Sequence, residues 1–298
     1  MSKILVTGGT GLVGQQLISL LHKQKHEVAI LTRNPKKTNE YLWDLHKNLV
    51  DDKAFENIDY IIHLAGAGVA DKRWTKKRKE EILNSRVSST QLLYQKITSL
   101  KIPLKGFICA SATGYYGAST SETIFSETDK PAHDFLGSVC DAWEQTALSF
   151  QQIDIPVTIL RTGIVLTEKG GALQKIKTPV ISPLGSGKQY LPWIHIDDLI
   201  NLYHKAITDH DFTGIYNAVA PEHQTNYSFS KQVALTFKKP FLGIGVPSFL
   251  LKLILGEMSQ ILLEGSRISS KKLKTKNYTF TYPNLNKALE SFVKTTQA

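Results

Sequence analysis

Cysteine is scarce: Cys109 and Cys140 are the only two in 298 residues. Two cysteines cannot make a disulfide framework, and this pair has no metal-ligand spacing. No metal site is expected. Long apolar runs are absent too. The most apolar stretch, Phe241 to Met258, is broken by Pro247 and Lys252, and a membrane span needs about 20 apolar residues. The opening Ile4-Leu5-Val6 run is too short for a signal-peptide core. A soluble, cytoplasmic protein with no membrane partner is the expectation. Repeats and low-complexity linkers are also missing. Acidic residues are outnumbered, leaving a net charge of +10. That permits nucleic acid, an anionic membrane or an anionic small molecule as partner and selects none of them.

What is present is ordinary globular composition, 42% hydrophobic and 21% charged, which argues against disorder. At about 150 residues per domain the length suggests one large domain or two closely joined ones. The first half alternates strand and helix patterns. Strand-like runs are Lys3–Thr7, Glu27–Thr32, Asp59–Leu64, Gly106–Ser111 and Val157–Arg161. Helical spacing appears over Leu12–Leu21 and Lys76–Ser99. This alternation predicts an α/β fold, a doubly wound parallel sheet with helices on both faces. After about residue 166, Gly and Pro punctuation predicts a smaller interleaved lobe. The expected division is 1–165 for a cofactor domain, with 193–220 returning to it, and 166–298 for a substrate lobe. The apolar stretch 249–263 reads as a helix that must be buried, with a homodimer contact or a membrane-surface contact as the minority reading.

The strongest local motif is Gly8-Gly9-Thr10-Gly11-Leu12-Val13-Gly14. It follows a strand and opens a helix, and that context gives it meaning. Gly8 and Gly11 let the chain approach a pyrophosphate, and Gly14 permits close helix packing. Thr10, Leu12 and Val13 complete the phosphate loop at the helix N-terminus. The second strand would end in Asp or Glu for NAD. Here it ends Thr32-Arg33, followed by Lys36 and Lys37. A guanidinium suits a 2′-phosphate, so NADP is the expected cofactor.

With this loop, His63-Leu64-Ala65-Gly66, Ser111-Ala112-Thr113-Gly114-Tyr115-Tyr116-Gly117 and Trp193-Ile194-His195-Ile196-Asp197-Asp198-Leu199, the chain resembles the extended short-chain dehydrogenase/reductases. More closely it resembles their atypical "epimerase family" branch, often labelled nucleoside-diphosphate-sugar epimerase. Lys72-Arg73-Trp74-Thr75, Ser85-Arg86, Trp143-Glu144, and the segment from Val246-Pro247 to Tyr282-Pro283-Asn284-Leu285 carry that likeness. The resemblance implies that Leu64, Ala65 and Gly66 line the cofactor site. It also implies a tyrosine and a lysine spaced Y-x-x-x-K on one helix face. Counting back from Glu144, those positions hold Leu136 and Cys140. Leu136 has no proton to exchange, and Cys140 carries no fixed charge. Leu136, Val139, Cys140, Trp143 and Ala147 instead form one apolar stripe.

Other residues are candidates for chemistry. Tyr115 and Tyr116 follow the fifth strand, whose end faces the ligand crevice, and either could donate a proton or serve as an aromatic wall. Ser111 sits where the resemblance places a Ser/Thr. Arg86 stands where the superfamily has an asparagine, and could reach the cofactor phosphates or an acidic substrate. Arg161 is a weaker candidate of the same kind. Asp134 reads as an N-cap, as does Asp197 or Asp198. The run from Lys72 to Lys79 reads as a solvated helix face more than a nucleic-acid surface. Two functions remain open: an NADP-binding oxidoreductase or epimerase-like enzyme with an unknown small-molecule, nucleotide-sugar-like substrate, and a non-catalytic NADP-binding sensor.

Overall fold

A computed structural model of the chain describes residues 1–295. Its strands, in chain order, are β1 (Lys3–Thr7), β2 (Glu27–Thr32), β3 (Glu40–Asp44), β4 (Leu49–Val50), β5 (Tyr60–His63), β6 (Gly106–Ala112), β7 (Ile124–Phe125), β8 (Val157–Thr162), β9 (Ile164–Leu166), β10 (Trp193–His195), β11 (Gly214–Ala218) and β12 (Arg267–Ile268). The helices are α1 (Leu12–Lys23), α2 (Lys76–Leu100), α3 (Phe135–Leu148), α4 (Gly171–Ile176), α5 (Ile196–Thr208), α6 (Asn226–Thr236), α7 (Ser248–Leu255), α8 (Gln260–Leu263), α9 (Lys271–Thr275) and α10 (Leu285–Thr295).

The main sheet runs β11-β8-β6-β5-β1-β2-β3-β4 and is parallel except for the β3–β4 pair. Strand residues alternate between its two faces. Ile4, Val6, Val28, Ile30, Ile62, Ile108 and Leu160 pack under Leu17 and Leu21 of α1 and Leu199, Leu202 and Tyr203 of α5. Their neighbours Leu5, Ala29, Leu31, Ile61, Phe107 and Ile159 pack under α2 and α3, against Leu92, Leu93, Ile97, Trp143 and Ala147. Burial on both faces is why these strands read as continuous apolar runs. It also makes the architecture a doubly wound Rossmann sheet.

The strand order reverses between β1 and β5. From β1 the chain winds outward to β2 and β3, then returns to pair Val6 with Ile62 on the other side. In such sheets the ligand crevice opens beyond the carboxyl ends of the strands at this switch.

Within 193–220, β11 joins the main sheet, β10 pairs with β9 in a separate ribbon, and Ile194 and the inner face of α5 pack into the core of the main sheet. The β3 strand has no clear signal in the sequence, because an outer strand buries few of its side chains; here only Trp43 is buried. The largest difference is α7. It was expected to be covered, yet Phe249, Leu253 and Ile254 are 67%, 74% and 63% exposed. The amphipathic inward edge is supplied by Leu251 and Leu255, and Leu255 packs beside Trp74, Phe135 and Met258. The lobe's own core lies elsewhere, where Leu166, Trp193 and Phe229 meet Leu285, Leu289 and Phe292 of α10.

Candidate functional site

The loop after β1 is built around glycines that no other residue could replace. Gly8 has φ +68°, and a Cβ there would lie 2.9 Å from the Leu64 carbonyl carbon. A Cβ on Gly14 would lie 2.3 Å from the Gly8 oxygen and 2.7 Å from the Gly9 Cα. The absent side chains are what let α1 sit on the loop. Gly11 caps α1 with no side-chain oxygen, so the first-turn N–H groups have no capping acceptor and suit a phosphate. Thr10 holds the loop from outside, its carbonyl accepting from Gln15 Nε2 at 2.9 Å. Leu12 packs beneath the turn at Gly170 and Gly171, and Val13 against the main core.

Thr7, which sequence reasoning missed, ties this loop to the end of β5. Its Oγ1 accepts from the Leu64 and Ala65 N–H groups, both at 3.2 Å, and bonds His63 Nδ1 at 2.7 Å. Ser89 Oγ meets His63 Nε2 at 3.0 Å. Complete burial, with the Arg86 charge as a smaller cause, holds the His63 pKa down to about 3. His63 is therefore a neutral bracket between β1, β5 and α2.

At the end of β2, Thr32 Oγ1 accepts from Asn34 N–H at 3.4 Å. Arg33 is exposed and has no ion pair among the described residues. The nearby acid, Glu40, is already used by the Lys36 N–H at 2.7 Å. A guanidinium is thus the charged group at the place where a carboxylate would select an unphosphorylated ribose.

Gly66 follows β5 and Gly114 follows β6, and the start of α3 packs against Gly114. The carbon positions of Leu136 and the sulfur of Cys140 lie 3.3 and 3.8 Å from where a Gly114 Cβ would be. Leu136 belongs to an apolar group with Trp74, Phe135, Val139 and Met258. Burial pushes the Cys140 thiol up to about 12, so it is not a thiolate nucleophile at neutral pH. Arg86 reaches under Gly66: its Nη1 donates to Ala67 O at 3.0 Å and Ile82 O at 2.9 Å. Its guanidinium lies 5.1 Å from the Trp143 ring.

The remaining candidates come together, but in a buried network. Arg161 is 1% exposed and grips Glu144 with two bonds, Nε to Oε1 at 2.9 Å and Nη2 to Oε2 at 2.8 Å. Ser111 Oγ donates to Glu144 Oε1 at 2.5 Å. Arg161 Nη1 donates to the Tyr116 hydroxyl at 2.8 Å, which donates to Asn217 Oδ1 at 2.6 Å. Asn217 Nδ2 donates in turn to Ser269 O at 3.0 Å. The Tyr115 ring lies on the Arg161 guanidinium at 3.3 Å. Burial raises the pKa of both tyrosines, against the pull of Arg161.

Arg161 thus bonds the carboxylate of α3, Ser111 and Tyr116 are bonded into the same network, and Tyr115 lies over the guanidinium as an aromatic wall. A signal was in the sequence: an arginine closing the apolar strand run Val157–Arg161, and a glutamate beside the apolar stripe of a helix. Buried opposite charges must find one another.

Asp134 caps α3, accepting from Gly137 N–H at 2.8 Å, and also from Ala118 N–H at 2.9 Å. The cap of α5 is His195, whose Nδ1 accepts from Asp197 N–H at 3.1 Å, in place of the aspartates expected there. Asp198 instead accepts from the Thr281 and Tyr282 N–H groups at 2.8 and 2.9 Å, holding the C-terminal segment. In the basic run, Trp74 is buried and donates to Val69 O at 2.8 Å, while Arg78 pairs with Glu81 at 2.7 Å and Asp71 at 3.5 Å. Among the described residues there is no cluster of metal-ligating side chains and no helix long and apolar enough to cross a membrane.

Comparison with known proteins agrees with this geometry. The family model for the NAD dependent epimerase/dehydratase family matches residues 4–219, and a domain of unknown function (DUF1731) matches 246–292. An epimerase family protein of Staphylococcus aureus (strain COL) is 37% identical, covering 99% of this chain and 100% of the relative. One from Staphylococcus saprophyticus is 34% identical, covering 98% and 100%. The crystal structure of human epimerase family protein SDR39U1 (isoform2) with NADPH superposes with a TM-score of 0.86 at 28% identity, covering 98% of this chain and 99% of that one. The nucleoside-diphosphate sugar epimerase of Corynebacterium glutamicum gives 0.79 at 27% identity, covering 99% of this chain and 61% of that one. UDP-N-acetylglucosamine 4-epimerase from Bacillus cereus, at 18% identity, shares the fold with a TM-score of 0.80. With its phosphate loop, its switch-point crevice and a family match over most of its length, the chain belongs to the NAD dependent epimerase/dehydratase family.

Proposed function

We propose that this chain binds NADP(H) and works without the tyrosine–lysine proton couple of its superfamily. The single observation that carries the cofactor choice is Arg33, an exposed, unpaired guanidinium at the end of β2 where NAD binders need a carboxylate. The cradle left by Gly8 and Gly14 fits a dinucleotide pyrophosphate. The similar human protein was crystallised with NADPH, which supports the same reading. When bound, the nicotinamide would supply hydride chemistry. The chain's part is to hold the pyrophosphate at the α1 N-terminus, the 2′-phosphate at Arg33, and the nicotinamide half over Gly66 and Gly114.

Two outputs follow from such a complex, turnover of a small molecule and signalling of cofactor occupancy. The geometry favours the second. Leu136 and Cys140 occupy the tyrosine and lysine positions, and Ser111, Tyr115 and Tyr116 are committed to the Arg161–Glu144 network. A proton donor aimed at a substrate carbonyl is missing from this set. The enzyme reading keeps one support, the smaller lobe with a core of its own. A cytoplasmic small-molecule responder without nucleic-acid or membrane contacts is the matching physiological picture.

The test is a titration of NADPH and NADH by nicotinamide fluorescence. NADPH is expected to bind at least tenfold more tightly, and Arg33→Ala to erase the difference. A charge-assisted hydrogen bond contributes about 1.5–3 kcal/mol, a loss of about 10- to 100-fold for NADPH alone. Equal affinities in the wild-type protein would refute the cofactor choice. Steady NADPH oxidation with any of a panel of carbonyl and nucleotide-sugar substrates would refute the sensor reading.

A further inference from the structure

The Arg86 side chain carries a charge that no ion pair balances among the described residues. It is half-buried, on α2, between Gly66 and the Trp143 ring. Arg161, buried nearby on β8, has Glu144; Arg78, on the same helix, has Glu81 and Asp71. Burying a charge is costly unless it is paired, so a retained, unpaired guanidinium at a ligand crevice calls for an anion from outside.

Its donors are divided in a telling way. Nη1 has two hydrogens, and both are taken, by Ala67 O and Ile82 O. Those two bonds fix the plane of the group. The Nε–H and Nη2–H edge remains, and that edge matches the two oxygens of a carboxylate. Residue 66 keeps it uncovered: a Cβ there would lie 3.0 Å from Cζ and 3.3 Å from Nε. Neither Nε nor Nη2 is among the sealed, unbonded polar atoms of the interior, so this edge is not closed off.

Position along the crevice says which ligand. Arg33 ends β2, the glycine loop follows β1, Gly66 follows β5, and Gly114 follows β6, in the sheet order β2-β1-β5-β6. A dinucleotide with its 2′-phosphate at Arg33 and its pyrophosphate at Gly8–Gly14 has its nicotinamide half at Gly66 and beyond. Arg86 therefore lies past the phosphates. It also approaches Cys140, the position of the missing lysine, closely enough to favour that thiol's ionised form against burial. The positive charge lost from α3 is supplied from α2.

We infer that Arg86 is a binding residue for the second ligand of this crevice, and that this ligand presents a carboxylate beside the nicotinamide. The inference rests on the NADP(H) reading above, and the test keeps the two apart. First, NADPH affinity is measured for wild type, Arg86→Gln and Arg86→Lys, with circular dichroism confirming folding. Then the NADPH-loaded proteins are titrated with benzoate, with its uncharged isostere benzamide, and with inorganic phosphate, read by the intrinsic fluorescence to which Trp143 contributes.

Benzoate is expected to bind wild type at least tenfold more tightly than benzamide. Arg86→Gln should remove that preference while changing NADPH affinity less than threefold. Arg86→Lys should keep part of it, since the charge remains and the fork is lost; it serves as the informative variant if the glutamine protein does not fold. Equal binding of benzoate and benzamide overturns the inference. So does a large loss of NADPH affinity in the variants, which would assign the guanidinium to the dinucleotide, or a clear preference for phosphate over benzoate. If wild type fails to bind NADPH at all, the cofactor reading fails first, and benzoate binding to the cofactor-free protein still decides the role of Arg86.

Discussion

The Arg161–Glu144 pair invites a quantitative test. Glu144→Gln keeps the shape of the side chain and removes its charge. Arg161 then stays 1% exposed with no anion, and Ser111 keeps only a neutral acceptor. Removing one partner of a buried pair costs about 3–5 kcal/mol. Unfolding entropy of about 2.1 cal/mol/K per residue, over this chain length, gives about 0.6 kcal/mol per degree. The expected fall in Tm is therefore about 5–8 °C, measured by near-ultraviolet circular dichroism without cofactor. The double variant Glu144→Leu with Arg161→Met removes both charges and should lose clearly less than the sum of the single losses. A Glu144→Gln change of under 2 °C, or a fully additive double variant, would refute the claim that this pair organises the site.

Other outcomes follow from the same structure. Burial holds His63 to a pKa of about 3 and His195 to about 4. The unfolded chain protonates these histidines near pH 6.5 while the native state does not, so stability is present above that pH and lost as the pH falls. At pH 5 each should cost about 2 kcal/mol; an unchanged urea midpoint between pH 7 and 5 would contradict this. Gly14→Ala places a Cβ 2.3 Å from the Gly8 oxygen, and NADPH affinity should drop more than tenfold by fluorescence titration; retained affinity would mean the loop is not the phosphate site. Leu253→Ser alters a side chain 74% exposed, so Tm should move by less than 1 °C. A loss of several degrees, with a smaller particle by light scattering, would show that α7 is covered by a second copy in solution.

The sequence by itself determined the sheet, because β1, β2, β5, β6 and β8 are buried on both faces and leave continuous apolar runs flanked by helical periods. It also located the glycine loop between β1 and α1 and set Leu136 and Cys140 one turn apart on α3, since spacing within one helix is fixed by the backbone alone. The strand β3, one in from the edge, escaped, having a single buried side chain. Tertiary structure alone decided the fate of the charged residues. Arg33 and Arg161 stand at strand ends and Arg86 midway along α2, and the sequence gives none of them a partner. Only the packing leaves Arg33 exposed, gives Arg161 to Glu144 17 residues away on another element, and leaves Arg86 half-buried with no ion pair among the described residues. It likewise decided that the apolar α7 stands uncovered, because helix periodicity records which faces are apolar and not what is available to cover them.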